Sequence, residues 1–322
     1  MSSISTRTVA AIAVAATFIL NVQGAFLRAA GLGDGCGTSW PGCHGEVVPL
    51  DPDFAAFMEF YGHRILSIVV GLIGLWLLVR AVRERHQHPG LLTFVIAAGV
   101  FYLAQTFVGM ATVMGGWTGD STDPIRAVIL PIHLVNSFSM LAALVLAMVY
   151  AGPNPPGRWR VTGRRSAAII LGIATVALYG LTFTGGVAAL GNLFAPVDTV
   201  AEGVVMDFSP DAHWTVRVRV LHPIIAITLG TGLAVACATA AVLRRSRPVT
   251  KAAGRLGIAY TAQLGIGVAN WLALAPLPLT IIHQALAMIV VGFFAAFVAT
   301  SLGNTPGDAQ ALSNRTGART PA

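Results

Sequence analysis

Residues 57–79 read FMEFYGHRILSIVVGLIGLWLLV, with Glu59, His63 and Arg64 in the first two turns and then fifteen residues without a charge. A transmembrane helix takes about 20 predominantly apolar residues, so this run is a membrane span. Ionisable side chains at the edge of a span are costly and mark function by default. Seven further apolar runs resemble it in length, giving spans near 8–27, 57–79, 91–114, 125–150, 166–190, 216–243, 253–275 and 277–300. Pro276-Leu277-Pro278 separates the last two. A single helix over 253–300 is excluded by its length and by prolines at its centre.

Composition agrees. Of 322 residues, 55% are hydrophobic and 10% are charged, with a mean hydropathy of +0.74. Soluble domains carry roughly 25% charged residues, so an ordinary soluble domain, a disordered segment and a nucleic-acid-binding tail are all excluded. The net charge of +7 sets topology instead. With the N-terminus in the cytoplasm, fifteen of the twenty basic residues fall on the inner face. Only Arg28, Arg64, Arg126, Arg217 and Arg219 lie outside, together with eleven of the thirteen acids. This bias orients membrane proteins, so both termini are expected in the cytoplasm. The N-terminal run lacks a small-residue cleavage site and reads as an uncleaved span. Residues 304–322 read as a disordered cytoplasmic tail.

The chain also repeats. At an offset of 158, Ala104-Gln105-x-x-x-Gly109 falls on Ala262-Gln263-x-x-x-Gly267 and Leu32-Gly33 on Leu190-Gly191, while His63 and His222 differ by 159. Four spans per copy is an even number, so the copies point the same way across the membrane, a parallel repeat. The expected fold is therefore an all-α integral membrane protein. Its eight transmembrane helices form two parallel-repeat four-helix bundles, 1–155 and 156–303.

Four of the eight histidines lie within spans: His63, His133, His222 and His283, all on even-numbered helices. Counting from the helix starts at 1.5 Å per residue places all four roughly 9–12 Å below the outer boundary. Two imidazoles at one level in a four-helix bundle suit a bis-His heme site. A zinc site would need about four converging ligands. Arg64 adjoins His63 and Arg219 lies three residues before His222, so both are placed to meet heme propionates. Arg28 and Arg126, at the outer ends of spans 1 and 4, stay open between that role and interfacial snorkelling.

Glu59 precedes His63 by four residues and shares its helix face. A desolvated carboxylate there suits proton transfer. The second half has Val218 at the matching place. Cys36 and Cys43, in a Gly- and Pro-rich outer loop of the first half, suggest a disulfide, either a staple or a redox-active pair. Cys237 reads as a packing residue.

These residues together resemble the heme A synthase family. The resemblance is carried by Arg28 with Gly31-Leu32-Gly33, Cys36…Trp40-Pro41…Cys43, Glu59-Phe60…His63-Arg64, Gln105-x-x-x-Gly109, Ile132-His133-Leu134, Leu221-His222-Pro223 and Ile282-His283-Gln284. It covers nearly the whole membrane region. The resemblance implies an oxidoreductase of the cell membrane that converts the C8 methyl of heme O to a formyl group by successive hydroxylations, near the outer face. It implies a heme b cofactor on His222 and His283, the substrate heme near His63 and His133, and a catalytic role for Glu59. The family usually places the glutamate three residues before the histidine, not four.

The partners expected are heme O and the lipid bilayer, with a heme O synthase, a terminal oxidase under assembly and a second copy of the chain as candidates. Nucleic acid is not among them. The rival readings are a bis-His diheme electron-transfer protein without substrate chemistry and a transporter or heme carrier with no catalysis.

Overall fold

A computed structural model describes residues 4–157, 159, 165–244 and 247–303. The basic positions 158, 160, 164 and 245 and the tail 304–322 lie outside the described residues. Among the described residues the regular structure is helical, with two isolated β-bridges, Cys43 to Glu46 and Trp159 to Gly303. The long helices are α1 (Thr6–Ala29), α2 (Phe54–Arg83), α3 (Leu91–Met114), α4 (Arg126–Tyr150) and α5 (Arg165–Phe194). A short α6 (Val200–Asp207) and α7 (Trp214–Arg219) precede α8 (Leu221–Arg244), α9 (Arg247–Leu272) and α10 (Leu277–Leu302).

The helix starts follow local chemistry. The Ser5 hydroxyl accepts from the Thr8 amide at 3.1 Å, and the Asp53 carboxylate accepts from the Ala56 amide at 2.8 Å. Such caps satisfy amides that have no partner within the helix. Seven helices among the described residues are long and apolar enough to cross a membrane, with α7 and α8 counted as one. The helix α9 is as long as its neighbours but opens with Arg247, Lys251 and Arg255. Pro248 falls in its first turn, where a missing N–H costs no intrahelical bond, so the helix starts upstream of the apolar run that begins at 253. It ends at Leu272, and the chain turns through Leu274 and Ala275, both at positive φ, before Pro276 caps α10. The turn thus lies just ahead of the expected Pro276–Pro278. The expected span 216–243 is interrupted at Val220, because Pro223 has no N–H to continue the ladder.

Helices α1 to α4 close on one another in a ring, each touching the next, with α4 returning to α1. Helices α5, α8, α9 and α10 do the same. The two groups meet where α4 packs on α5 and α10, and where α1 packs on α10. The most enclosed helices, α4 and α10, lie at this seam. Phe138 and Leu141 of α4 share one buried cluster with Met288, Val291 and Phe294 of α10.

At the end carrying the start of α1, Glu84 accepts from the Thr6 hydroxyl at 2.5 Å and pairs with Arg80 at 2.7 Å. Burial pushes the Glu84 carboxyl up, but the Thr6 hydroxyl and Arg80 overrule it and hold the carboxyl below its ordinary value. A carboxylate with a depressed folded value contributes stability above its unfolded value, and that contribution disappears as pH falls below roughly 4. Glu84→Gln is expected to cost about 1 kcal/mol at pH 7 and to flatten the loss of thermal stability on acidification. Melting curves in detergent at pH 4 and pH 7 check this.

Candidate functional site

The second helix is not regular. Residues Met58–Ile65 form a π-helical segment between a turn of α-helix and the rest of α2. The wider i→i+5 turn holds an extra residue. Glu59 and His63, four apart, therefore present side chains much as residues three apart do on an ordinary helix. The added residue relative to the usual glutamate–histidine interval is taken up in the coiling.

Glu59 is 4% exposed. One carboxylate oxygen accepts from the Cys36 amide at 2.8 Å, and the other pairs with the Arg64 guanidinium. Arg64 also donates to the carbonyls of Ser39 (2.7 Å), Pro41 (3.2 Å) and Gly42. Cys36 and Cys43 are joined in a disulfide, both fully buried, packing with Ala56 and Phe60. Glu59, Arg64 and the disulfide loop thus form one connected unit over α2. The expectation that Arg64 meets a propionate finds its guanidinium already engaged.

His63 is oriented by Gln23 of α1. The Gln23 amide nitrogen donates to the Met58 carbonyl at 2.8 Å, which turns the amide oxygen toward His63 Nδ1, also at 2.8 Å. Nδ1 then carries the proton and Nε2 keeps its lone pair for a metal. In the other half, His222 Nδ1 faces the Leu181 carbonyl at 3.2 Å, the same arrangement with a backbone acceptor. His133 and His283 differ from both, since their Nδ1 atoms are buried without a partner. The rings of His222 and His283 lie 6.2 Å apart between centroids, at 81°. Gln263 approaches His283 Nε2 at 3.3 Å. Its first-half counterpart, Gln105, is held by Asn136 at 2.7 Å.

Each of the four histidines packs against a glycine on the preceding long helix. A Cβ on Gly24 would lie 3.1 Å from His63 Cε1, and one on Gly109 would lie 3.2 Å from that of His133. On Gly185 and Gly267 the distances to His222 and His283 would be 2.8 and 2.9 Å. The latter two are closer than real Cβ contacts approach, so a larger residue there would have to displace the imidazole. The Gln-x-x-x-Gly pairs announced two of these positions. Gln23-Gly24 was legible only as a polar residue and a glycine near the end of span 1.

Arg219 pairs with Asp207 and donates to Asn192 Oδ1 and the Gly203 carbonyl, each at 3.0 Å. It therefore clasps α6 to the end of α5, and its guanidinium too is engaged by protein. The short α6 was not anticipated from hydropathy. Among the described residues no three or more His, Cys, Asp or Glu side chains gather as a metal-ion site. The pairwise disposition of the histidines suits axial ligation better.

Removing the Gln23 amide frees the His63 ring to rotate. Gln23→Ala is expected to weaken any metal bond made by His63 Nε2 by roughly 10- to 100-fold. Absorption titration of the purified variant checks this.

Comparison with known proteins places the chain. It is 38% identical over 280 residues to a protein of Thermus thermophilus named protoheme IX farnesyltransferase, covering 86% of this chain and 45% of that protein. It is 36% identical over 124 residues to the heme A synthase of Exiguobacterium sibiricum, covering 37% of this chain and 39% of that one. With the heme A synthase of an Exiguobacterium species it shares 30% identity over 166 residues, 51% of this chain and 52% of the other. The chain spans about half the length of the curated relatives it matches, or less. Residues 7–295 match the COX15-CtaA family, described as cytochrome oxidase assembly protein. This multi-pass, all-helical chain belongs to that family, the family of the heme A synthases.

Proposed function

We propose that the protein is a heme A synthase that oxidises the C8 methyl of heme O to a formyl group. The observation that carries the reading is the duplicated histidine–glycine arrangement, with Glu59, Arg64 and the disulfide loop attached to one copy only. Two equivalent heme sites would need no such difference. A substrate site beside a resident-cofactor site would.

In this reading His222 and His283 hold a resident heme b. Two imidazoles sharing one metal ion through bonds of about 2 Å place their ring centres roughly 6 Å apart, and these rings lie 6.2 Å apart. The cradles at Gly185 and Gly267, which a Cβ would fill, and the His222 Nδ1 held by the Leu181 carbonyl, which leaves its Nε2 for iron, fit the same group. A heme bound there supplies one-electron transfer.

His63 and His133 bind heme O. Going from CH3 to CHO with the oxygen of one water removes four electrons and four protons, and the electrons must leave one at a time to an external electron acceptor. Glu59, held by the Cys36 amide and Arg64, would orient water or move a proton near the oxidised methyl. The disulfide loop closes over this half and keeps water from the reacting edge.

The same reading takes α9 as an eighth span and the two four-helix groups as parallel repeats of 1–155 and 156–303. It places both termini in the cytoplasm and the chemistry near the outer face of the cell membrane. The basic start of α9 and the contact between the start of α1 and the end of α2 support it. A heme O synthase would deliver the substrate and a terminal oxidase would receive the product. The transferase name of the Thermus protein belongs to a chain of which the match covers 45%.

Supplying heme O to membranes containing the protein and extracting the pigments tests the proposal. Heme A is expected. Two permanently bound b hemes and no conversion would favour the diheme electron-transfer reading.

A further inference from the structure

We propose that Arg28 and Arg126 form a carboxylate site above the first-half histidines, gripping the propionates of the bound tetrapyrrole and so turning its propionate edge toward Glu59. This rests on the heme-substrate reading above.

Arg126 is 2% exposed, and its Nε is buried without a hydrogen-bond partner. One terminal nitrogen donates to the Ser121 carbonyl at 2.8 Å, and the guanidinium lies over the Phe194 ring at 5.6 Å. Arg28 is half-buried, and its side chain reaches the Gln284 amide oxygen at 3.5 Å, the far limit for such a bond. Among the described residues neither arginine has a carboxylate within ion-pair distance, although Asp34 and Asp120 act on Arg126 from further away. The two guanidinium groups are close enough to act on each other. Two neighbouring cations, one of them buried and neither in an ion pair, are costly to hold. Arg64 and Arg219, by contrast, each have a protein carboxylate.

Register places both arginines outward of the histidine pair. Arg28 lies four residues beyond Gly24, on which His63 packs, so it shares that face one turn further out, about 6 Å. Arg126 lies seven residues before His133, two turns and about 10 Å outward on the same face. A tetrapyrrole with two carboxylates matches the pair in charge, and a guanidinium binds a carboxylate through paired N–H donors. The second half lacks the pair, since Ala189 and Pro276 stand at the equivalent positions.

Anchoring the propionates would also order the substrate. The C8 methyl shares its pyrrole ring with one propionate and a second methyl shares a ring with the other, so the gripped edge carries the methyl to be oxidised together with that one competitor. Glu59 lies one turn outward of His63, at that level. Ring methyls remote from the propionates would face inward, away from the carboxylate.

The test is an absorption titration of the purified full chain with heme O and with heme O dimethyl ester. The parent is expected to bind the free acid roughly 10- to 100-fold more tightly than the ester. Arg28→Gln and Arg126→Gln should each lose most of that preference, and Arg28→Lys and Arg126→Lys should keep part of it. The ester comparison needs no substitution, and Arg28 is only half-buried, so the result does not hinge on Arg126→Gln folding. Equal binding of acid and ester by the parent would overturn the carboxylate site even if heme A still forms. So would a preference that survives in both Gln variants. A parent that binds neither form would overturn the heme-substrate reading together with this one.

Discussion

Glu59→Gln is expected to lower heme A formation by roughly a hundred- to ten-thousand-fold, the range over which a positioned general acid or base contributes. Glutamine keeps the size of the side chain and an oxygen for the Cys36 amide. It removes the charge that faces Arg64 and the site that takes up a proton. Arg64 retains its three loop carbonyls, from Ser39, Pro41 and Gly42, so the disulfide loop stays anchored. The second half is untouched, and its heme content should equal that of the parent. Pigment extraction after feeding heme O measures both quantities together. Undiminished heme A in the variant would remove Glu59 from the chemistry. Loss of the resident heme as well would recast Glu59 as a folding residue.

Filling a glycine cradle should act on the cofactor instead. A Cβ at Gly185 would stand 2.8 Å from His222 Cε1, and a Cβ at Gly267 would stand 2.9 Å from His283 Cε1. A branched side chain leaves the imidazole no room and turns it off axis. Gly185→Val and Gly267→Val are each expected to cut heme retention in the second half by roughly 10- to 100-fold. Gly265 shares α9 with Gly267 but has nothing within 4 Å of its added Cβ. Gly265→Ala should therefore bind heme like the parent, which separates the cradle from a general cost of altering glycines on this helix. The reduced-minus-oxidised absorption spectrum of the purified variants provides the comparison.

Most of the helical framework was readable in advance because hydropathy is a property of long windows. The expected span 91–114 coincides with α3, and 125–150 differs from α4 by one residue. Misreadings arose where one residue governs the backbone. Pro223 interrupts the helix ahead of α8, and the positive-φ pair Leu274 and Ala275 moves the last turn upstream. The eight-residue α6 is too short to register in a window built for spans.

Legibility within the site divides in a similar way. His63, His133, His222 and His283 stood out as ionisable groups in apolar runs. Their orienting partners did not. Gln23 and His63 are 40 residues apart, and the partner of His222 is the carbonyl of Leu181, a group that every residue carries. The engagement of Arg64 by loop carbonyls was invisible for the same reason. The π-helical segment left a trace in the four-residue glutamate–histidine interval, but only the backbone shows how the extra residue is absorbed.

The division of labour between the halves is tested most directly by the heme complement of two purified double variants, each supplied with heme O. His222→Ala with His283→Ala should lack the resident heme b. His63→Ala with His133→Ala should retain heme b in full yet form no heme A. Loss of heme b from the His63/His133 variant, with its retention in the His222/His283 variant, would contradict the account.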